Sequence, residues 1–227
     1  MSEAERIREA YRHCEALVRT LDKDRFLAAL FAPADRRPFL YALYAFAGEI
    51  ARVQDRVREP MAGVIRLQWW ADAISELRPE EAAGSPVMIA LQDMARRTGL
   101  QLESLVTAVE ARQAELHGIA AVPAAAAIFT AAAWVLDAEA HVTAVVEDAA
   151  KAVTFVADPH DPYRAIYAYN AFRAHTRSLP QKVLPAFLTV ALVPLLLRNR
   201  QALQWRRQLT LLRAAWFGFP KPIRQQQ

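Results

Sequence analysis

The segment Phe39-Leu40-Tyr41-Ala42-Leu43-Tyr44-Ala45-Phe46-Ala47-Gly48-Glu49-Ile50-Ala51-Arg52-Val53 decides the fold class. Phe39, Leu40, Leu43, Tyr44, Phe46, Ile50 and Val53 recur at helical spacing and give one side of the segment a large apolar surface. Asp35 is a good N-cap and Pro38 falls early enough to be tolerated, so the spacing predicts a helix over 35–58, ended by Glu59-Pro60. A helix with so many large apolar side chains is expected at the centre of a bundle.

The same period continues on both sides. Upstream, Ile7, Ala10, Tyr11, Cys14, Leu17, Val18 and Leu21 predict a helix over 3–21, and a short one follows over 25–31, before Pro33. Downstream, helices are predicted over 61–77, 87–98 and 100–116, and another over 163–178; residues 78–86 read as the clearest loop. Residues 116–136 hold no Asp, Glu, Lys or Arg, a length that could cross a bilayer. The run is mostly Ala, contains Pro123 and is followed by Asp137, so a buried core helix is the expectation, with membrane insertion the alternative. The apolar run 183–197 is interrupted by Pro185 and Pro194 and is short for a span.

Composition agrees with an all-α helical bundle in a single domain over 1–227. Of 227 residues 46 are Ala, the strongest helix former, while only 6 are Gly, too few for the turns of a β-sandwich or barrel. The single cysteine, Cys14, excludes an internal disulfide framework and suits a reducing compartment. The first residues mix acids and bases, unlike a secretory signal or an acid-poor transit peptide. There is no phosphate-binding glycine loop, HExxH, GxSxG or CxxC. The five histidines, at 13, 117, 141, 160 and 175, lack metal-ligand spacing, and no metal site is expected from them.

One constellation is distinctive: Asp24-Arg25-Phe26-Leu27 through Pro33, Arg36-Arg37-Pro38, Leu43-Tyr44-Ala45-Phe46, Glu49-Ile50-Ala51-Arg52-Val53, Gly63 and Ile65-Arg66-Leu67-Gln68-Trp69-Trp70-Ala71-Asp72. It resembles the squalene/phytoene synthase family, in particular the divergent branch that includes the mitochondrial complex I assembly factor and its bacterial relatives. The resemblance is strong over 8–78 and resumes weakly over 179–208, at Leu184-Pro185-Ala186-Phe187-Leu188 and Gln204-Trp205-Arg206-Arg207. It implies an isoprenoid-synthase fold, here shortened, with helices around a central cavity. In active members of that family two aspartate-rich motifs hold Mg²⁺ ions that bridge to a prenyl diphosphate and assist its departure.

By the resemblance, the carboxylate positions of the first motif fall on Ala51, Arg52, Asp55 and Arg56, so only Asp55 is acidic. Arg52 and Asp55, three residues apart on a helix, would form a surface ion pair worth a few tenths of a kcal/mol. Glu49, Arg52, Asp55 and Glu115 are the candidates for a residual polar site, and arginines there can hold phosphate directly. Residues 137–162 carry Glu139, Glu147, Asp148 and Asp158 without the repeat of a second motif, and are too short for the helix pair the family places there. Such a loss puts the central cavity itself in question. The expectation is a protein with no confident catalytic residue, no metal and no cofactor, acting by binding another protein such as a respiratory-chain assembly intermediate. Its location would be cytoplasmic, or the mitochondrial matrix if organellar and already processed, with peripheral attachment at the inner membrane as a further expectation. A Mg²⁺-dependent farnesyl or geranylgeranyl diphosphate transferase is one alternative, and a small helical membrane-associated subunit another.

Interaction candidates complete the reading. Adjacent helix residues point about 100° apart, so one of Trp69 and Trp70 is expected in the core and the other on a cavity or partner surface. Residues 182–227 carry Lys182, Arg198, Arg200, Arg206, Arg207, Arg213, Lys221 and Arg224 with no Asp or Glu. With Trp205, Trp216 and Phe217 they suggest docking of the basic end, 198–227, on an anionic membrane or a membrane-embedded partner. No nucleic acid is expected.

Overall fold

A computed structural model describes residues 2–57, 59–77 and 79–223, and among these every regular element is helical. The expectations that fall on Arg58, Arg78 and Arg224 lie outside the described residues. Helix α1, Glu3–Leu21, opens with a capping box in which Ser2 and Glu5 bond reciprocally, and its buried Ala10, Cys14 and Val18 follow the helical period. A sharp corner at Asp22, which caps α2, Lys23–Ala29, turns the chain back.

Helix α3, Arg37–Ala51, is the centre of the bundle. Its residues from Phe39 to Ala47 and Ile50 are all buried, and it packs against α1, α2 and the later helices α7, α8 and α9. The element differs from the helix expected over 35–58 at both ends. A turn in which Arg36 and Arg37 N–H groups bond to the Pro33 carbonyl precedes it, so Arg36, and not Asp35, is the N-cap. At Arg52 the helix closes with its N–H shared between the Gly48 and Ile50 carbonyls, and α4, Val53–Arg56, is a separate single turn before the extended Val57.

Helix α5, Pro60–Ile74, starts on its proline as such helices favour. A Cβ at Gly63 would stand 2.8 Å from Leu116 Cδ1, so the missing side chain lets α5 close onto the end of α8. The expected loop over 78–86 contains a short helix, α6, Pro79–Ala83, whose Glu80 and Glu81 suit the positive helix start. Helix α7, Pro86–Thr98, runs from a Ser85 cap to Gly99 in the left-handed conformation. Tyr11 on α1 donates to buried Asp93 on α7 at 2.9 Å, and Arg97 pairs with the same carboxylate at 2.9 Å, fastening the two helices.

The helix expected over 100–116 is a 3₁₀ turn, Leu102–Leu105, followed by α8, Val106–Glu115. Helix α9, Val122–Leu136, lies in the core, with Ile128, Phe129 and most of its alanines buried against α3, α8 and α10. Helix α10, Thr143–Phe155, fills a stretch for which no helix was expected, and pairs with α11, Pro162–His175. Beyond it the chain runs as a series of short 3₁₀ and α turns, continuous from Gln181 to Arg198, with α12 at Leu184–Phe187 and α13 at Val193–Arg198. Among the described residues Gln181–Arg198 is the run long and apolar enough to cross a membrane, longer than the prolines suggested; half of it is buried within the protein, where Phe187 stacks on Phe129. Helix α14, Gln204–Phe217, then packs on α2 and the 188–192 turn.

Candidate functional site

A cavity of about 360 Å³, partly open to solvent, lies between the α1–α2 corner, the end of α8, helices α9 and α10, the 189–196 segment and α14. One wall is apolar, formed by Phe129, Val153, Leu192 and Leu196. The other carries six charges, Asp22, Asp24, Glu115, Arg25, Arg112 and Arg207.

Each carboxylate of that wall is engaged by an arginine. Asp22 accepts the Arg25 N–H at 2.9 Å as the α2 cap and holds the Arg25 guanidinium at 3.7 Å. That guanidinium also lies over the Tyr44 ring, 5.4 Å from its centre. Burial pushes the Tyr44 hydroxyl pKa upward against the opposing charge of Arg25, so the phenol is neutral. Glu115 pairs with Arg112 at 2.6 Å. Asp24, 6% exposed, is bonded by Arg207 from the far end of the chain and receives Gln204 at 3.4 Å. The Nε atoms of Arg112 and Arg207 are buried without an acceptor among the described residues.

The residues expected to form a residual polar site are therefore not brought together. Glu115 lines the cavity, whereas Glu49, Arg52 and Asp55 do not. Glu49 instead faces Arg56 at 3.9 Å. Arg52 and Asp55 make no ion pair among the described residues, although Arg52 caps the single turn α4 that holds Asp55. Ala51, at the first of the motif positions, is half-buried, and Asp55 and Arg56 are exposed. The sequence reading missed Asp22, Arg25 and Arg112. In the sequence Asp24-Arg25 stands out only as part of the family-like constellation, and nothing local marks Arg112 as lining a cavity with a residue 95 positions further on.

Trp70 is buried and meets Phe46 edge to face at 5.3 Å. Trp69 is half-buried; its Nε1–H donates to Glu81 at 2.7 Å and ties α5 to α6. At the C-terminal end Trp205, Arg206 and Arg213 are exposed, whereas Arg207 turns inward to Asp24.

A Mg²⁺–diphosphate cluster needs several carboxylates free to bridge the ions. No group of three or more His, Cys, Asp or Glu among the described residues is arranged to hold a metal ion, and the cavity carboxylates are already bound to guanidinium groups. The donor set does not fit that cluster.

Among the described residues every regular element is helical, and the squalene/phytoene synthase family model is similar to the chain over residues 18–129, just under half of its length. The chain is also similar to proteins named complex I assembly factor 6. The Bos taurus protein is 31% identical over 105 residues, 46% of this chain and 32% of the relative. The Homo sapiens protein is 32% identical over 104 residues, 46% of this chain and 31% of the relative. A "Bifunctional protein CrtB/UppS" of Streptomyces coelicolor is 36% identical over 100 residues, 43% of this chain and 17% of that protein. The matches to the assembly factors span about a third of their length.

Proposed function

We propose that the chain acts by binding protein, as a factor in the assembly of respiratory complex I, and not by condensing prenyl diphosphates. The observation that carries this reading is the neutralised cavity: each of Asp22, Asp24 and Glu115 is held by an arginine, so none is available to bridge a metal to a leaving diphosphate. The similarity to the proteins named complex I assembly factor 6 supplies the partner class. On this reading no Mg²⁺ takes part, and the protein works where complex I is assembled, at the bacterial cytoplasmic or mitochondrial matrix face of the membrane. Incubation with farnesyl or geranylgeranyl diphosphate and Mg²⁺ is expected to give no product above a heat-killed control. Affinity capture from its own cells is expected to recover complex I subunits, and deletion of its gene to lower NADH:ubiquinone activity. Product formation would overturn the non-catalytic reading, and unchanged complex I levels would overturn the assembly role.

The two buried Nε–H groups favour a second use of the same cavity. Leaving a buried donor unpaired costs about 1–3 kcal/mol, and an anion seated between Arg112 and Arg207 would recover it. Inorganic pyrophosphate with EDTA present is expected to raise the melting temperature, and to lose that effect in Arg112→Gln.

A further inference from the structure

Helix α14 is amphipathic in an unusual sense: its exposed side is the apolar one. Trp205, Leu209, Leu212 and Trp216 follow at steps of four, three and four, so at about 100° per residue they fall within a stripe about 60° wide. All four are exposed, Trp205 at 56% and Trp216 at 76%, and Phe217 beside them reaches 86%. Leu211 and Ala214, which bury the helix against the bundle, lie on the opposite side. Exposed Arg206 and Arg213 border the stripe along one edge, with Lys221 just beyond the helix. Arg206 rests 5.2 Å above the Trp205 ring, its charge next to the apolar surface.

The stripe is held rigidly. Arg207 ties the first turns of α14 to Asp24. After the helix, Phe219 packs edge-on against Phe172 at 4.9 Å, and the Pro220 carbonyl accepts from Tyr169 and Arg173, each at 2.8 Å. The helix is about 21 Å long at 1.5 Å per residue, with a tryptophan near each end.

Charge selects the occupant. Residues 162–227 carry eleven of the 28 Lys and Arg and no Asp or Glu, while residues 1–161 carry the other 17 against all 24 acids. The C-terminal 66 residues are thus +11 and the remainder −7. A rigid apolar stripe with a tryptophan near each end, edged by exposed Arg206, Arg213 and Lys221 in a segment without acids, matches an extended negative surface with an apolar interior. That is an anionic bilayer, on which such a helix lies in the plane of the interface.

We propose that α14 docks the protein on anionic lipid bilayers, inserting Trp205, Leu209, Leu212 and Trp216 between headgroups while Arg206, Arg213 and Lys221 bind phosphate. This goes beyond the assembly role, since it requires no protein partner. The test uses the full chain with phosphatidylcholine vesicles, with and without phosphatidylglycerol, in flotation assays. Strong binding only to the anionic vesicles is expected, reversed by high salt. Arg206→Gln/Arg213→Gln/Lys221→Gln is expected to weaken partitioning by roughly tenfold to a hundredfold, and Leu212→Ser/Trp216→Ser by at least about tenfold, with unchanged helical circular dichroism. Equal binding of the parent to both vesicle types, no binding to either, or parent-like binding by both variants would overturn the proposal. So would a stable dimer of the parent that Leu212→Ser/Trp216→Ser converts to monomer, which would show that a second copy covers the stripe. Vesicles contain no complex I subunits, so failure here leaves the assembly role standing, and failure of that role leaves this docking intact.

Discussion

Asp24→Ala separates the cavity's electrostatic frame from its packing. Asp24 keeps 9% of its side chain exposed and Arg207 30%, and the pair joins α2 to α14 across 183 residues of sequence. Removing one partner of a fully buried ion pair costs about 3–5 kcal/mol, because the other charge is left uncompensated. Solvent reaches part of Arg207, so we expect a smaller loss, about 2–3 kcal/mol. In a chain of this size that is a fall of roughly 4–12 °C in melting temperature. Arg207→Met alone leaves Asp24 buried and should also destabilise. The double variant should cost less than the two single losses together, by about 1–2 kcal/mol, since neither charge is then stranded. Urea unfolding followed by circular dichroism gives the three values at constant slope. If Asp24→Ala shifts the midpoint no more than Glu110→Ala, an exposed acid on α8, or if the single losses simply add, the pair does not hold α14 to the bundle.

Other consequences are as direct. Leu43, fully buried at the centre of α3, should cost about 2–5 kcal/mol when changed to Ala, measured by the same unfolding assay; an unchanged midpoint would remove α3 from the core. Burial pushes the Cys14 thiol from 9.0 up to about 12, and the Tyr11, Tyr44 and Tyr169 hydroxyls upward from 10.0. These groups bind protons more tightly when folded. Their stabilisation is therefore complete below about pH 9 and is lost progressively as pH rises from there toward 12, which thermal melts across that range should record as a steep fall. For the same reason Cys14 should react with a thiol reagent at pH 8 only at the rate of unfolding, and Cys14→Ser should abolish the signal; rapid labelling of the folded protein would contradict its burial.

The helices that the chain's own periodicity marks are those with local causes. α1 has its capping box and regular apolar positions, α7 its Ser85 cap and Gly99 stop, and α5 its initial proline, and all are legible because neighbours within one or two turns fix them. The family resemblance was likewise readable in residues 24–72, since it rests on residue types in register. α10 carries its apolar residues Val145, Val146, Ala149, Ala150 and Ala152 on the period, but its N-cap, Val142, makes no side-chain cap, so no local start signal marks it.

Sequence alone determined that the chain is a helical bundle and that α3 carries its largest apolar surface. Tertiary structure decided which charges meet. Asp24 and Arg207, or Tyr11 and Asp93, are far apart in the chain, and no spacing rule relates them; only the packing of α2 on α14 and of α1 on α7 brings them within reach. It also decided which of two adjacent arginines faces outward: Arg206 borders an exposed stripe and Arg207 enters the cavity, because one residue along a helix is a rotation of about 100°. Helical period is a property of the chain, but the direction in which each face points depends on what the rest of the fold covers.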